Sequence, residues 1–145
     1  MPKQVLLVED SIGDVRLTQE AFTDSSWNVQ LHVATDGVEA MEFLRREGAH
    51  RDAPRPDLIL LDLNLPRMDG REVLAAIKLD DGLKSIPTVV LTTSEAEIDI
   101  ANAYRLQANS YLTKPAQWDE FDSMVRSISD FWLLKAKLPP RKPDA

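Results

Sequence analysis

Three short, uninterrupted apolar blocks punctuate the chain: Val5–Val8 (VLLV), Leu58–Leu61 (LILL) and Thr88–Leu91 (TVVL). Each is bounded by polar or turn residues, and a continuous apolar block of that length predicts a strand covered on both faces. Val29–Ala34 (VQLHVA) alternates and predicts a further strand, and Ser110–Leu112 a short last one. Amphipathic stretches fill the gaps. Four of them open on an N-cap oxygen followed three residues later by an acid: Ser11 with Asp14, Asp36 with Glu39, Asp69 with Glu72, and Ser94 with Glu97. Carboxylates in a first turn complement the helix dipole. Strand and helix then alternate five times, ending in a helix over 117–134. The prediction is an α/β fold, a doubly wound five-stranded parallel sheet with five helices.

Composition narrows the function classes. The 145 residues predict one domain. The absence of cysteine removes disulfide scaffolds, thiolate metal sites and thiol nucleophiles. With only two histidines, His32 and His50, a multi-histidine metal site or a serine triad is not expected. A net charge of −7 and a pI of about 4.8 oppose a duplex-DNA reader, which needs a basic face. No apolar run approaches the roughly 18 residues of a membrane helix, and the N-terminus is no signal peptide. A cytoplasmic protein is expected, with no nucleic-acid or membrane partner.

In an open α/β sheet, ligands gather at the carboxyl ends of the strands. Here the first strand runs into Glu9-Asp10, the third into Asp62, the fourth into Thr92-Thr93, and the fifth into Lys114-Pro115. Three carboxylates therefore face one cleft. Two like charges about 4 Å apart repel by about 4 kcal/mol at an effective dielectric near 20. A retained proton or a cation must offset this, and a hard dication such as Mg²⁺ suits oxygen ligands. Asp62, rigid at the end of a buried strand, is placed to act as a nucleophile toward phosphorus. Lys114 would neutralise the entering group and Thr92 would donate to one of its oxygens.

The ordered set VLLVEDS, LILLDLNLPRMDG, VVLTTS and YLTKP resembles the receiver domain of two-component response regulators, from Gln4 to about Leu134. The resemblance implies a flavodoxin-like strand order of 2-1-3-4-5. It implies that Asp62 accepts a phosphoryl group from a sensor histidine kinase. Glu9, Asp10, Asp62 and the backbone carbonyl of Asn64 would hold Mg²⁺, and Lys114 would bind the phosphoryl group. Thr92 and Tyr111 would form the switch, and a cis bond would join Lys114 to Pro115. The start VLLVEDSIGDVRLTQEAF, the long loop Gly48–Pro56 and the end SISDFWLL resemble the stand-alone regulators that partner bacterial and cyanobacterial phytochromes.

One departure is Thr93, where the family mostly has Ala or Gly; its branched side chain would crowd the phosphoryl group and slow its loss. The competing readings fit less well. A phosphatase of the haloacid-dehalogenase type needs an acid at Asn64, and an FMN site would be repelled by Glu9, Asp10 and Asp14. A pseudo-receiver, never phosphorylated, would not need the complete residue set. Residues 1–134 are expected to form the receiver and 135–145, with three of nine prolines, a loose tail without an output domain. On the last helix, Trp118, Phe121, Val125, Ile128 and Trp132 form the stripe expected to seat it on the sheet. Met124, Phe131 and Leu134, with Trp132, are expected to form a homodimer interface.

Overall fold

The structure of the chain, a computed structural model, describes residues 2–23 and 28–140. Strands β1 (Lys3–Val8), β2 (Val29–Ala34), β3 (Leu58–Leu61), β4 (Thr88–Thr92) and β5 (Ser110–Thr113) form one sheet in the order β2-β1-β3-β4-β5, all neighbours parallel. The helices are α1 (Ile12–Thr23), α2 (Gly37–Arg45), α3 (Gly70–Leu79), α4 (Glu97–Arg105) and α5 (Trp118–Ser129). The expected flavodoxin-like topology is present.

The apolar blocks are uninterrupted because both sheet faces are covered. Leu6, Val8, Ile59, Leu61 and Val90 pack against α2 and α3 through Phe43, Leu44, Val73, Leu74 and Ile77. Their neighbours in sequence, Val5, Leu7, Leu58, Leu60, Val89 and Leu91, turn to the other face and meet Phe22 of α1 and Phe121, Val125 and Ile128 of α5. Successive strand residues point to opposite faces, so one block serves two cores.

Three of the four cap signals work as expected. The Ser11 hydroxyl accepts from the Asp14 N–H at 3.3 Å, and the Asp36 carboxylate from the Glu39 N–H at 2.7 Å. Asp69 and Glu72 form a complete capping box. The fourth differs: α4 starts at Glu97 after an N-cap at Ala96 that makes no side-chain bond. The Ser94 hydroxyl instead donates to Asp99 at 2.7 Å and accepts from the Ala96 N–H at 3.3 Å. A longer-range carboxylate has taken the capping oxygen.

The last helix also departs from expectation. Regular α-helix stops at Ser129, and a wider π-type turn spans Asp130–Lys135. The wider turn puts Leu133, five residues beyond Ile128, on the buried side, whereas Trp132 is half-buried. Trp118, at the other end of the expected stripe, is 58% exposed. Phe121, Val125 and Ile128 of that stripe are buried and seat the helix, with Trp132 packed at the edge of the same core. Of the expected tail, Lys135 belongs to the π-type turn and 136–140 line clefts beside Lys3, Asp57 and Pro87. Residues 141–145 lie outside the described residues. Among the described residues, no helix is long and apolar enough to cross a membrane.

Candidate functional site

Strand register builds the site. Val8 pairs with Leu61 across β1 and β3, so the next residues, Glu9 and Asp62, emerge side by side. The Asp62 N–H donates to the Val8 carbonyl at 3.0 Å, which holds that alignment one residue past the strand. Thr92 pairs with Thr113, and the Lys114 N–H donates to the Thr92 carbonyl at 2.7 Å. Glu9, Asp62, Thr92 and Lys114 thus share one sheet edge.

Glu9, Asp10 and Asp62 each bring a carboxylate oxygen within 4.8 Å of the others. Glu9 and Asp62 are buried and Asp10 is exposed. The Lys114 ammonium, almost fully enclosed, contacts Glu9, Asp14 at 2.8 Å and Asp62 at 3.1 Å. All three of its N–H bonds are therefore directed at carboxylates. Burial, reinforced by the Asp62 charge, pushes Glu9 up to about 7 against the pull of Lys114. Despite its own burial, Lys114 is raised above the usual lysine value by Asp14, Glu9 and Asp62. Three carboxylates thus share one ammonium, and each is drawn to it in competition with the others.

The hard-oxygen trio fits a small dication, because three converging carboxylates repel one another unless a positive charge lies between them. Asn64 follows Asp62 in an exposed turn, and its N–H donates to Asp62 Oδ1 at 3.3 Å. Beyond it, Arg67 takes a left-handed φ of 67°. The turn ends at Gly70, where an added Cβ would lie 2.1 Å from the Asp62 carbonyl oxygen. The helix start is pressed against the backbone carrying Asp62, and only glycine allows it.

Thr92 is fully buried, and its Oγ1 has no hydrogen-bond partner among the described residues. An orphaned hydroxyl at a sheet edge beside a carboxylate suits an incoming acceptor oxygen. Tyr111 is half-buried against the core beneath α2 and α3, its hydroxyl donating to the Ser94 carbonyl at 3.0 Å. Its N–H donates to the Tyr104 hydroxyl at 3.1 Å. Thr93 is exposed at the mouth of the site. The expected cis bond at Lys114–Pro115 is absent, for all described peptide bonds are trans; the trans form of X–Pro is intrinsically favoured by about 0.5–1 kcal/mol.

Two contacts escaped the sequence reading of the site. Asp14, expected as a helix-start acid that with Glu9 and Asp10 would repel an FMN phosphate, also grips Lys114; its place in the first turn of α1, just beyond Glu9-Asp10, was the available signal. Asp99 binds Arg71 at 3.0 Å and the Ser94 hydroxyl, joining the start of α3 to the loop after Thr92. Nothing local in the sequence marks that pair.

Residues 5–126 match the model of the response regulator receiver domain. The chain is 51% identical over 138 residues to Response regulator Rcp1 of Synechocystis, covering 95% of this chain and 94% of that one. It superposes with a TM-score of 0.94 on the phosphorylated cyanobacterial phytochrome response regulator RcpA, at 51% identity over 97% of this chain and 100% of that one. A Mn²⁺-bound form of Rcp1 gives a TM-score of 0.93 at 50% identity, covering 96% of this chain and 100% of that one. Sheet order, strand-end acids and these likenesses agree: the chain belongs to the response regulator receiver family and is related to the phytochrome response regulators.

Proposed function

We propose that the chain receives a phosphoryl group on Asp62 from a sensor histidine kinase, in the presence of Mg²⁺, and signals by a conformational change. The observation that carries the reading is the convergence of Glu9, Asp10 and Asp62 within 4.8 Å beside the Lys114 ammonium. Glu9, Asp10, Asp62 and the Asn64 carbonyl would hold Mg²⁺, which would supply the positive charge that admits an anionic donor. An Asp62 carboxylate oxygen attacks phosphorus as the bond to the donor nitrogen breaks. Lys114 neutralises one phosphoryl oxygen, and the Thr92 hydroxyl donates to another, gaining the partner it lacks. This draws on the 93–96 loop, to which Tyr111 is already bonded through Ser94.

A phytochrome-class kinase is the proposed donor, supported by the likeness to RcpA and Rcp1. Residues 1–134 are proposed to form the receiver unit, with output through protein contacts. A homodimer is proposed on the α5 side. There Phe131 and Leu134 are more than half exposed, and a groove of about 390 Å³ is lined by Leu112, Met124, Ile128, Phe131 and Trp132.

Acetyl phosphate with Mg²⁺, followed by intact mass, tests the central reading. One phosphoryl group should be added to the unmodified chain, none to Asp62→Asn, and none in excess chelator. Labelling of Asp62→Asn would overturn the assignment. Sedimentation of the full chain against Phe131→Glu tests the dimer, which should weaken in the variant.

A further inference from the structure

The Lys114 ammonium is enclosed by three carboxylates of two kinds. Glu9 and Asp62 belong to the trio that converges for a dication; Asp14 does not. A dication at the trio would take Glu9 and Asp62 as ligands, the same two carboxylates that now face the lysine, and it would repel the ammonium. Of the three partners, only Asp14 then remains free to keep it.

Asp14 is built for that task. It lies in the first turn of α1, where the helix dipole favours a negative charge. Its N–H is bonded to the Ser11 hydroxyl at 3.3 Å, and its side chain is 28% exposed. A carboxylate in partial contact with water carries a smaller desolvation cost than one enclosed like Glu9. The lysine backbone is equally fixed, by its bond to the Thr92 carbonyl at 2.7 Å. Asp14 and Lys114 thus form a tether from α1 to the end of β5, at 2.8 Å.

We infer that Asp14 is a positioning residue that draws the Lys114 ammonium off Glu9 and Asp62, so that lysine and dication occupy the site together instead of competing for it. The inference rests on the phosphoryl-acceptor reading above and adds to it the device that clears the cation site. Without the Asp14 charge, the two remaining partners of Lys114 are both cation ligands, and the lysine becomes a competitor.

The test is a double-mutant cycle read by calorimetric Mg²⁺ binding to the full chain. Asp14→Asn keeps the backbone bond to Ser11, and its melting temperature controls for folding. It should weaken Mg²⁺ binding about fivefold or more. In the Lys114→Met background the same change should have less than about a twofold effect, because the competitor is gone. Equal weakening in both backgrounds would mean that Asp14 attracts the ion directly and would overturn the inference, as would no weakening in either. Should Lys114→Met not fold, salt decides. The Asp14→Asn effect should persist from about 0.05 to 0.5 M salt, since a direct contact to an enclosed ammonium is poorly screened, and its disappearance would count against a tether. Unmodified chain that binds no Mg²⁺ overturns both readings. Binding that Asp14→Asn leaves unchanged overturns only this one.

Discussion

The two ends of β3 obey different rules. Leu58–Leu61 are fully buried and their side chains join the two apolar cores, one with α1 and α5 and the other with α2 and α3. One residue later, Asp62 enters a pocket with two further acids of a metal-type trio, a shared lysine and a threonine hydroxyl without a partner. The first region is optimised for packing. The second holds groups that folding alone disfavours, the usual condition of a site whose partners arrive later. Stability at one end supports unsatisfied chemistry at the other.

Opposite responses two residues apart should expose the contrast most strongly. Leu60→Ala removes a fully buried side chain at the sheet centre and should cost about 2–5 kcal/mol. Asp62→Asn removes one of three like charges around Lys114 and should raise stability by about 1 kcal/mol in chelator. Denaturant unfolding of both checks this. A large loss for Asp62→Asn would show that the charged end is held together by its ion pairs and would abolish the distinction.

Next in size is the junction between the regions. Gly70 starts α3 against the Asp62 carbonyl oxygen. Gly70→Ala must push that backbone away and should cost about 1–3 kcal/mol. It should also slow acetyl phosphate labelling by more than the stability loss explains, since Asp62 moves with its carbonyl. Unchanged labelling would show that the site tolerates displacement of its floor.

Much of this is legible in the sequence. Apolar blocks gave the strands because both faces are covered, and acids after Val8 and Leu61 marked the site because register brings strand ends together. What stayed hidden depended on distant partners or on a change of helical period. Ser94 lost its cap role to Asp99, five residues along and itself fixed by Arg71. The π-type turn moved the buried position from Trp132 to Leu133. Asp14 could be seen as a helix-start acid, but its grip on Lys114, a hundred positions away, is a tertiary fact.

Thr92 offers a smaller effect that separates stability from signalling. Its buried hydroxyl has no partner, so Thr92→Val, equal in shape, should leave stability unchanged or slightly raised. Acetyl phosphate labelling at Asp62 should persist, while the dependence of partner binding on that labelling weakens. A marked loss of stability would mean the hydroxyl is already satisfied, and an intact phospho-response would make Thr92 merely structural.

The smallest effect is a pH dependence on the flank, where a titrating group sits far from the site. His32 on β2 bonds Gln4 through Nε2 at 2.7 Å and packs on Phe43, ring centroids 5.2 Å apart. Phe43 in turn meets His50, which pairs with Glu39 at 3.4 Å. Burial lowers His32 below its ordinary value of 6.5. The folded chain therefore holds fewer protons there than the unfolded one. The stability this contributes is full above 6.5 and is lost as pH falls through 6.5 toward the lower folded value. Glu9 acts with the opposite sign: its rise from 4.5 to about 7 makes stability fall as pH climbs between those values. The total curve is consequently ambiguous, but a difference curve is not. His32→Gln leaves Glu9 in place and keeps an amide donor for Gln4. Unmodified chain minus variant, measured by urea unfolding from pH 7.5 down to 5.5, should decline toward acid. Parallel curves would show that His32 titrates alike in both states and that its burial carries no charge penalty.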